Sequence, residues 1–131
     1  MSFITKYLLT TLLIISFGVN RADAQNFDKI ADAIRSGNVS AISAGFGANV
    51  EIGIKDAQNS YSKPQAEAVL KNFFGSHTPK SFNIVHKGNS PDGAQYFIGT
   101  LSTSAGTYRT YVYAKQVGGN FVIQEIKFEG Q

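Results

Sequence analysis

The chain has 131 residues, a length typical of one domain, and it is 43% hydrophobic and 16% charged. These proportions exclude an intrinsically disordered chain and favour a packed globular one. The net charge is only +3 and the basic residues are spread along the chain, so no nucleic acid is expected as a partner. The chain has no cysteine, which excludes disulfide bonds, a lipid-modified cysteine and thiolate chemistry.

The first 24 residues have the pattern of a cleavable signal peptide. Lys6 forms a short basic region, an apolar run extends from Tyr7 to Val19, and Ala22-Asp23-Ala24 matches the small-x-small cleavage pattern. The apolar run is shorter than the roughly 20 residues that a membrane-spanning helix needs. We therefore expect cleavage after Ala24, a single mature domain over residues 25–131 without a stable membrane anchor, and a periplasmic or secreted location.

The start of the mature chain predicts two helices and a strand. Asn26 is placed to cap a first helix that ends at Gly37, and Asn38 to cap a shorter second one. The apolar stripe of the first helix consists of Phe27, Ile30, Ala31 and Ile34. Apolar residues then alternate with polar ones at Val50, Ile52 and Ile54, which predicts a half-buried strand, and a return strand is expected near Ser60-Tyr61.

A central helix follows, with a clear start signal. Ser62 and Gln65 form a capping box, and Pro64 lies in the first turn, where its missing N–H costs nothing. Gly75 is expected to end the helix. The predicted buried stripe consists of Ala66, Val69, Leu70, Phe73 and Phe74. Alternation at Phe82, Ile84 and His86 then predicts a strand, which ends at the turn residues Asn89 to Gly93.

Residues 94–128 read as three antiparallel strands with Gly-containing turns between them. Ser104-Ala105-Gly106 is interpreted as a three-residue loop, which places Thr103 opposite Thr107 and Phe97 beside Tyr113. Gly118-Gly119 is interpreted as a two-residue turn, which places Val117 opposite Asn120 and Tyr113 opposite Gln124.

This register divides the side chains between two faces of the sheet. The face expected to meet the helices carries Phe97, Leu101, Arg109, Tyr111, Tyr113, Val122, Gln124, Ile126 and Phe128. The second, half-polar face carries Ile98, Thr100, Thr110, Val112, Ala114, Phe121, Ile123, Glu125 and Lys127. An apolar patch left uncovered by helices favours pairing with a second subunit, so a homodimer through this second sheet face is expected.

The order of helices and strands is that of an α+β fold. The stretches PQAEAVLKNFF, HTPKSFNIVHKG, GTLSTSAGTYRTYVY and FVIQEIKFEG resemble an uncharacterised family of small secreted bacterial proteins of the Bacteroidetes type. That family falls within the nuclear-transport-factor-two-like superfamily, which includes ketosteroid isomerases. The resemblance implies a cystatin-like architecture, in which a cone-like curved antiparallel sheet of about four to six strands wraps N-terminal helices and one central helix.

Few residues suggest catalysis. With two histidines and no cysteine, neither a metal site nor a cofactor is expected. His77 precedes Thr78-Pro79 in a loop and is expected to be solvated. Isomerase-like chemistry needs a carboxylate base beside hydrogen-bond donors in an apolar cavity. The weak candidates for a catalytic base are Glu51 and His86.

The residues therefore favour a non-catalytic envelope or secreted binding module over an enzyme. Its ligand would be a small apolar or acidic molecule in the cone, or a partner protein bound through the exposed sheet face. The expected ligand-binding residues are Tyr111, Tyr113, Gln124 and Arg109, because they place polar groups within an apolar face. The alternative is a small ketosteroid-isomerase-like or hydrolase-like enzyme that uses Glu51 or His86 beside Tyr113.

Overall fold

The computed structural model describes residues 21–131, with side chains described from Asn26 onward. Three helices are present in this range: α1 (Arg21–Ser36), α2 (Val39–Ser43) and α3 (Lys63–Ser76). The six strands are β1 (Phe46–Ile54), β2 (Ala57–Ser62), β3 (Pro79–Asn89), β4 (Gln95–Thr103), β5 (Gly106–Val117) and β6 (Asn120–Gly130). Most of the predicted signal peptide lies outside the described residues, and the predicted cleavage point after Ala24 falls within α1.

The strands form one curved, mixed sheet in the order β2-β1-β6-β5-β4-β3. All neighbouring strands are antiparallel except β1 and β6, which are parallel. The α+β prediction is confirmed, and the parallel pair is a difference from the expected antiparallel sheet. It arises because three hairpins after α3 bring β6 back beside β1 in the same direction.

Local capping signals define two of the three helix starts. Asn38 caps α2 by accepting a hydrogen bond from the Ala41 N–H at 3.2 Å. Ser62 and Gln65 form the predicted capping box of α3. The helix continues one residue beyond Gly75, to Ser76. Asn26 does not cap α1, because the described part of the helix already includes residues 21–25, which contain no helix breaker.

The register predicted for β4 and β5 is wrong by one residue. The loop between them has two residues, so Thr103 pairs with Gly106 and Phe97 pairs with Val112. The Thr103 hydroxyl fixes this turn, because it donates to the Gly106 carbonyl at 2.7 Å and accepts from the Ala105 N–H at 3.1 Å. A shift of one residue exchanges the two faces of a strand.

The corrected register reassigns several side chains. The helix-facing residues of β5 are Tyr108, Thr110, Val112 and Ala114, all of them buried. The residues of β5 on the opposite face are Arg109, Tyr111 and Tyr113. This reverses the predicted positions of Val112 and Ala114 relative to Tyr111 and Tyr113.

A β-bulge corrects the pairing of β5 with β6. The Gly118-Gly119 turn is as predicted, and Val117 pairs with Asn120. The register then shifts at Tyr113/Ala114, so Tyr113 pairs with Glu125 rather than with Gln124. The extra residue in β6 allows both Ile123 and Ile126 to be buried on the helix side.

Aromatic side chains fill the space between the helices and the sheet. Phe73 of α3 stacks on Phe128 of β6 with ring centroids 4.4 Å apart, which confirms that α3 packs on the sheet. Phe27 of α1 meets the edge of Phe97 at 5.1 Å. Phe82 of β3 extends over Gly99, where an added Cβ would stand 2.4 Å from the ring. The concave side of the sheet is therefore a packed core.

Candidate functional site

The side of the sheet opposite the helices, which we call the outer face, brings the predicted site residues together. Backbone pairing aligns them in rows across neighbouring strands. Tyr113 lies beside Glu125, which lies beside Glu51 of β1. In the next row, Tyr111 lies between Ile98 and Lys127. Arg109 lies between Thr100 and Glu129 in the third row.

Three tyrosines form a continuous aromatic group on the outer face. The ring centroids of Tyr96 and Tyr111 are 5.9 Å apart, and those of Tyr111 and Tyr113 are 6.5 Å apart with nearly parallel planes. Tyr96 fits against Gly88 of the neighbouring strand, where an added Cβ would stand 2.5 Å from its ring. The three tyrosines are half-buried, so part of their apolar surface is exposed on the outer face.

A charged pair lies beside these rings. The Lys127 ammonium donates to the Glu125 carboxylate at 3.2 Å and stands 5.9 Å from the centre of the Tyr111 ring. The hydrogen bond to Glu125 raises the pKa of Lys127. Burial, and then the negative charge of Glu125, raise the pKa of Tyr111, so its hydroxyl is a donor at neutral pH. The pair gives the outer face a fixed charge pattern beside its apolar rings.

Two depressions lie on the outer face. The first, with a volume of about 270 Å³, is lined by Ile98, Arg109, Tyr111, Glu125, Lys127 and Glu129. The second, of about 340 Å³, is lined by Asn49, Val50, Glu51, Ser60, Tyr113, Gln124 and Glu125. The four predicted ligand-binding residues thus lie in adjacent depressions: Arg109 and Tyr111 in the first, Tyr113 and Gln124 in the second. They face away from the helix-lined interior in which they were expected.

The two candidate bases are far apart in the sheet. Glu51 lies on β1 and accepts a hydrogen bond from the Gln58 amide at 2.9 Å. His86 lies on β3, where its Nε2 is 3.2 Å from the Tyr96 hydroxyl. Strands β6, β5 and β4 lie between them, so they cannot act on the same atom of a substrate. Glu51, rather than His86, shares a depression with Tyr113.

His77 occupies a different environment from the one predicted. It is half-buried at the end of α3, where its ring stacks on Phe73 at 4.3 Å and meets the edge of Tyr108 at 5.3 Å. Its Nδ1 lies 2.9 Å from the Phe73 carbonyl oxygen. The ring therefore extends the aromatic core. The sequence feature that could have indicated this burial is the position of His77 directly after the apolar stripe of α3.

Tyr96 and Lys127 also belong to the outer-face site, although neither was predicted as a site residue. Tyr96 lies beside Tyr113 because the β4–β5 loop has two residues, and Lys127 lies beside Tyr111 because of the bulge in β6. Within residues 21–131, no group of three or more histidine, aspartate or glutamate side chains is placed to hold a metal ion. No helix in the same range is long and apolar enough to cross a membrane.

Comparison with known proteins assigns the family. A family model described as "Domain of unknown function (DUF4783)" matches residues 27–129. A DUF4783 protein from Bacteroides uniformis is 27% identical with a TM-score of 0.75, over 79% of this chain and 95% of its own. Its counterpart from Bacteroides fragilis is 26% identical with a TM-score of 0.74, over 79% and 96%.

A more distant structure supports the fold. An NTF2-like protein of unknown function from Pseudomonas putida is 14% identical, with a TM-score of 0.65 over 83% of this chain and 84% of its own. No curated protein matches the chain. The match of the family model over residues 27–129 means that this chain belongs to the DUF4783 family, a family of domains of unknown function.

Proposed function

We propose that this protein is a non-catalytic binding module of the cell envelope, and that it binds a partner protein through the outer face of its sheet. The observation that carries the proposal is the row of half-buried tyrosines beside an unpaired arginine, on a face that the described helices leave open. The envelope location rests on the signal-peptide pattern of residues 1–24.

The packing of the interior favours the outer face over the cone as the binding surface. Phe97, Leu101 and Phe128 are completely buried on the helix side, and aromatic rings from α1 and α3 contact them. A ligand in the cone would have to displace these rings, at the cost of core packing. The outer face needs no such rearrangement.

The chemistry of the first depression fits a protein partner. Arg109 forms no hydrogen bond or ion pair with another described residue, so its guanidinium is free to pair with a carboxylate of the partner. Tyr111 and Ile98 supply the apolar surface beside it. Tyrosine and arginine are the residue types that contribute most to binding energy at protein interfaces.

Site-specific photo-crosslinking in the envelope tests the proposal. A photoreactive residue at Thr100, on the outer face, should crosslink to a partner, whereas one at exposed Ser40 of α2 should not. The double variant Tyr111→Ser/Arg109→Ala should reduce the Thr100 crosslink about tenfold or more, since interface anchors of this kind contribute over 1 kcal/mol each. Its unfolding midpoint should stay close to that of the wild type.

Three results would contradict the proposal. Equal crosslinking from Thr100 and Ser40 would indicate non-specific contact. Turnover of a defined substrate that disappears in Glu51→Gln or His86→Ala would show that the protein is an enzyme rather than a binding module. A small-molecule ligand bound at Arg109 would show that the outer face does not bind a partner protein.

A further inference from the structure

The two edges of the sheet differ in how they are protected against pairing with another strand. At the β3 edge, Pro79 begins the strand, Lys80 and Lys87 lie along it, and the register shifts between Ile84 and His86. Prolines, lysines and bulges of this kind block strand addition. The guanidinium of Arg35 in α1 also occupies an edge carbonyl there, that of Phe82. The β3 edge is thus closed by several independent features.

The β2 edge has none of these features. Its sequence, AQNSYS, contains no charged residue and no proline. Its pairing with β1 runs without a bulge from Asn49↔Ser62 to Ile54↔Ala57. All its residues are exposed or half-buried. Natural proteins rarely leave a regular, uncharged edge strand open unless it has a partner.

Hairpin geometry identifies the free backbone groups of β2. The two-residue turn makes Ile54↔Ala57 a hydrogen-bonded pair, and such pairs alternate along an antiparallel ladder. Gln58 and Ser60 therefore direct their N–H and C=O groups away from β1. No other described residue bonds these groups. The N–H of Ser62, two residues further along, also points away from β1. It donates to the Gln65 side chain at 3.2 Å, which agrees with this alternation.

We propose that the β2 edge accepts an extended segment of a partner protein as a seventh strand, and that the segment carries a lysine or arginine opposite Ser60. The inference deepens the proposed function and rests on it, since it names the chemistry of the partner. The main-chain bonds of Gln58 and Ser60 provide the attachment, and the basic side chain provides the selectivity.

The second depression supports the basic side chain. Ser60 lines its rim on the outer face, and its two charged lining residues, Glu51 and Glu125, are both acidic. A side chain opposite Ser60 in an added strand shares the face of Ser60. Glu51 lies about two strand spacings from that position, roughly 10 Å away. An arginine and a glutamate side chain bridge this gap together, because Ser60 between them is small.

Glu51 keeps one carboxylate oxygen for this contact. It uses Oε2 to accept from Gln58, and its Oε1 has no partner among the described residues. Glu125 lies one strand further from the β2 edge and already pairs with Lys127 through Oε1, so Glu51 is the carboxylate within reach of the added strand.

Charge complementarity favours a different protein over a second copy of this chain. If two β2 strands paired symmetrically through Gln58 and Ser60, Gln58 of one copy would lie opposite Ser60 of the other. Neither β2 strand contains a basic residue, so Glu51 would remain without a counter-charge. A partner segment with a central lysine or arginine supplies it.

An NMR titration of the purified protein with designed peptides tests the inference. The probe is the capped peptide Val-Thr-Thr-Arg-Thr-Thr-Val, and its matched control has Glu in place of Arg. The backbone amides of Gln58 and Ser60 should shift on titration, and the Arg peptide should bind about tenfold more tightly than the Glu peptide. The difference should shrink in Glu51→Gln and at high salt.

A pair of protein variants and a modified peptide isolate the backbone bonds. Ser60→Pro removes an N–H that points away from β1, so the hairpin is retained but peptide binding should be lost. Ser60→Thr keeps the N–H and should bind as the wild type does. A peptide N-methylated at its central Arg should bind neither the wild type nor the Ser60→Thr variant. The wild-type result does not depend on the folding of any variant.

Three outcomes would overturn the inference. Peptide-induced shifts near Tyr111 with none at β2 would reject the edge while leaving the outer-face function intact. Equal binding of the Arg and Glu peptides would reject the basic side chain. Shifts at Gln58 and Ser60 that depend on protein concentration without peptide would assign the edge to a second copy. Peptide binding at β2 without any Thr100 crosslink would instead reject the outer-face function alone.

Discussion

The carbonyl oxygen of Phe82 accepts two hydrogen bonds from the guanidinium of Arg35, from Nε at 3.2 Å and from Nη2 at 3.0 Å. Arg35 lies in the last turn of α1, and Phe82 lies on edge strand β3. The contact joins the first helix to the sheet across 47 residues of sequence. It also occupies a carbonyl that would otherwise be available for strand pairing.

Replacing Arg35 by lysine should destabilise the fold by about 1 kcal/mol, because lysine cannot reproduce the two-donor fork and the site is partly exposed. The matched control is Asp32→Asn, which removes the exposed ion pair of Arg35 with Asp32 but keeps both bonds to Phe82. That change should stay within roughly 0.5 kcal/mol. Denaturant midpoints measure both, and equal shifts would show that the Phe82 contact contributes nothing.

Replacing Thr110 is predicted to stabilise the protein. Its side chain is fully buried on the helix side of β5, and its hydroxyl has no hydrogen-bond partner among the described residues. Thr110→Val keeps the shape and removes the unsatisfied group, so it should stabilise the protein by about 1 kcal/mol. The readout is the free energy of unfolding from urea denaturation.

Thr103 is the matched control for Thr110. It is also buried, but its hydroxyl makes two hydrogen bonds within the β4–β5 turn. Thr103→Val should therefore cost about 1–3 kcal/mol, since it leaves the Ala105 N–H without its partner. If both valine variants were destabilised to the same extent, the Thr110 hydroxyl would have to be bonded in solution.

Features read from short stretches of sequence were predicted well. The caps at Asn38 and Ser62 and the apolar stripe of α3 depend on residues within one or two helical turns. Such signals need no knowledge of distant contacts. The turn at Gly118-Gly119 belongs to the same class, because both glycines adopt positive φ, at 58° and 81°.

Features that depend on one hydroxyl or one extra residue were not predicted. Gly106 has φ at 122° and was interpreted as the third residue of the loop, whereas the bonds of Thr103 make it the first residue of β5. Because of this one-residue difference in register, Tyr111 and Arg109 lie on the outer face rather than in the expected interior. The β-bulge at Gln124 has no local sequence signal, because burying both Ile123 and Ile126 is a property of the whole core.

Asp92 predicts a dependence of stability on acid pH. Its carboxylate lies in the β3–β4 turn, where it accepts hydrogen bonds from the Ser90 hydroxyl, from Lys115 at 3.2 Å and from the Ala94 N–H at 3.3 Å. These bonds, with the Ser90 hydroxyl first, lower the pKa of Asp92 from 3.8 to about 2. A carboxyl with a lowered folded pKa stabilises the fold above its unfolded pKa and loses that contribution as the pH falls through the folded value.

The melting temperature should therefore fall less steeply in Asp92→Asn than in the wild type between about pH 4 and pH 2, because the variant has no carboxylate to protonate. Above about pH 5 the variant should be the less stable of the two. An NMR titration of the Asp92 carboxyl carbon provides the direct check. A midpoint near 3.8 would mean that the turn hydrogen bonds do not hold in solution.

In the absence of its partner protein, the purified chain is expected to self-associate through the outer face, and this is the last prediction. Val112 was expected to lie on that face, but it is completely buried on the helix side, so Val112→Lys would test folding rather than association. The suitable position is Ile98, which is half-buried beside Tyr111 near the centre of the outer face. We expect a two-subunit species in sedimentation velocity at tens of micromolar, since homodimers are the commonest oligomers.

Ile98→Lys should abolish the dimer, because two-fold symmetry would bury the new ammonium near a second copy of itself and near Lys127. Val117→Lys is the matched control: Val117 is 53% exposed at the far end of β5, outside both depressions, so its replacement should leave the dimer intact. The free energy of unfolding of both variants should stay within roughly 0.5 kcal/mol of the wild-type value. A wild-type protein that sediments as a monomer throughout would leave the outer face, with its tyrosines and Arg109, to a different partner protein.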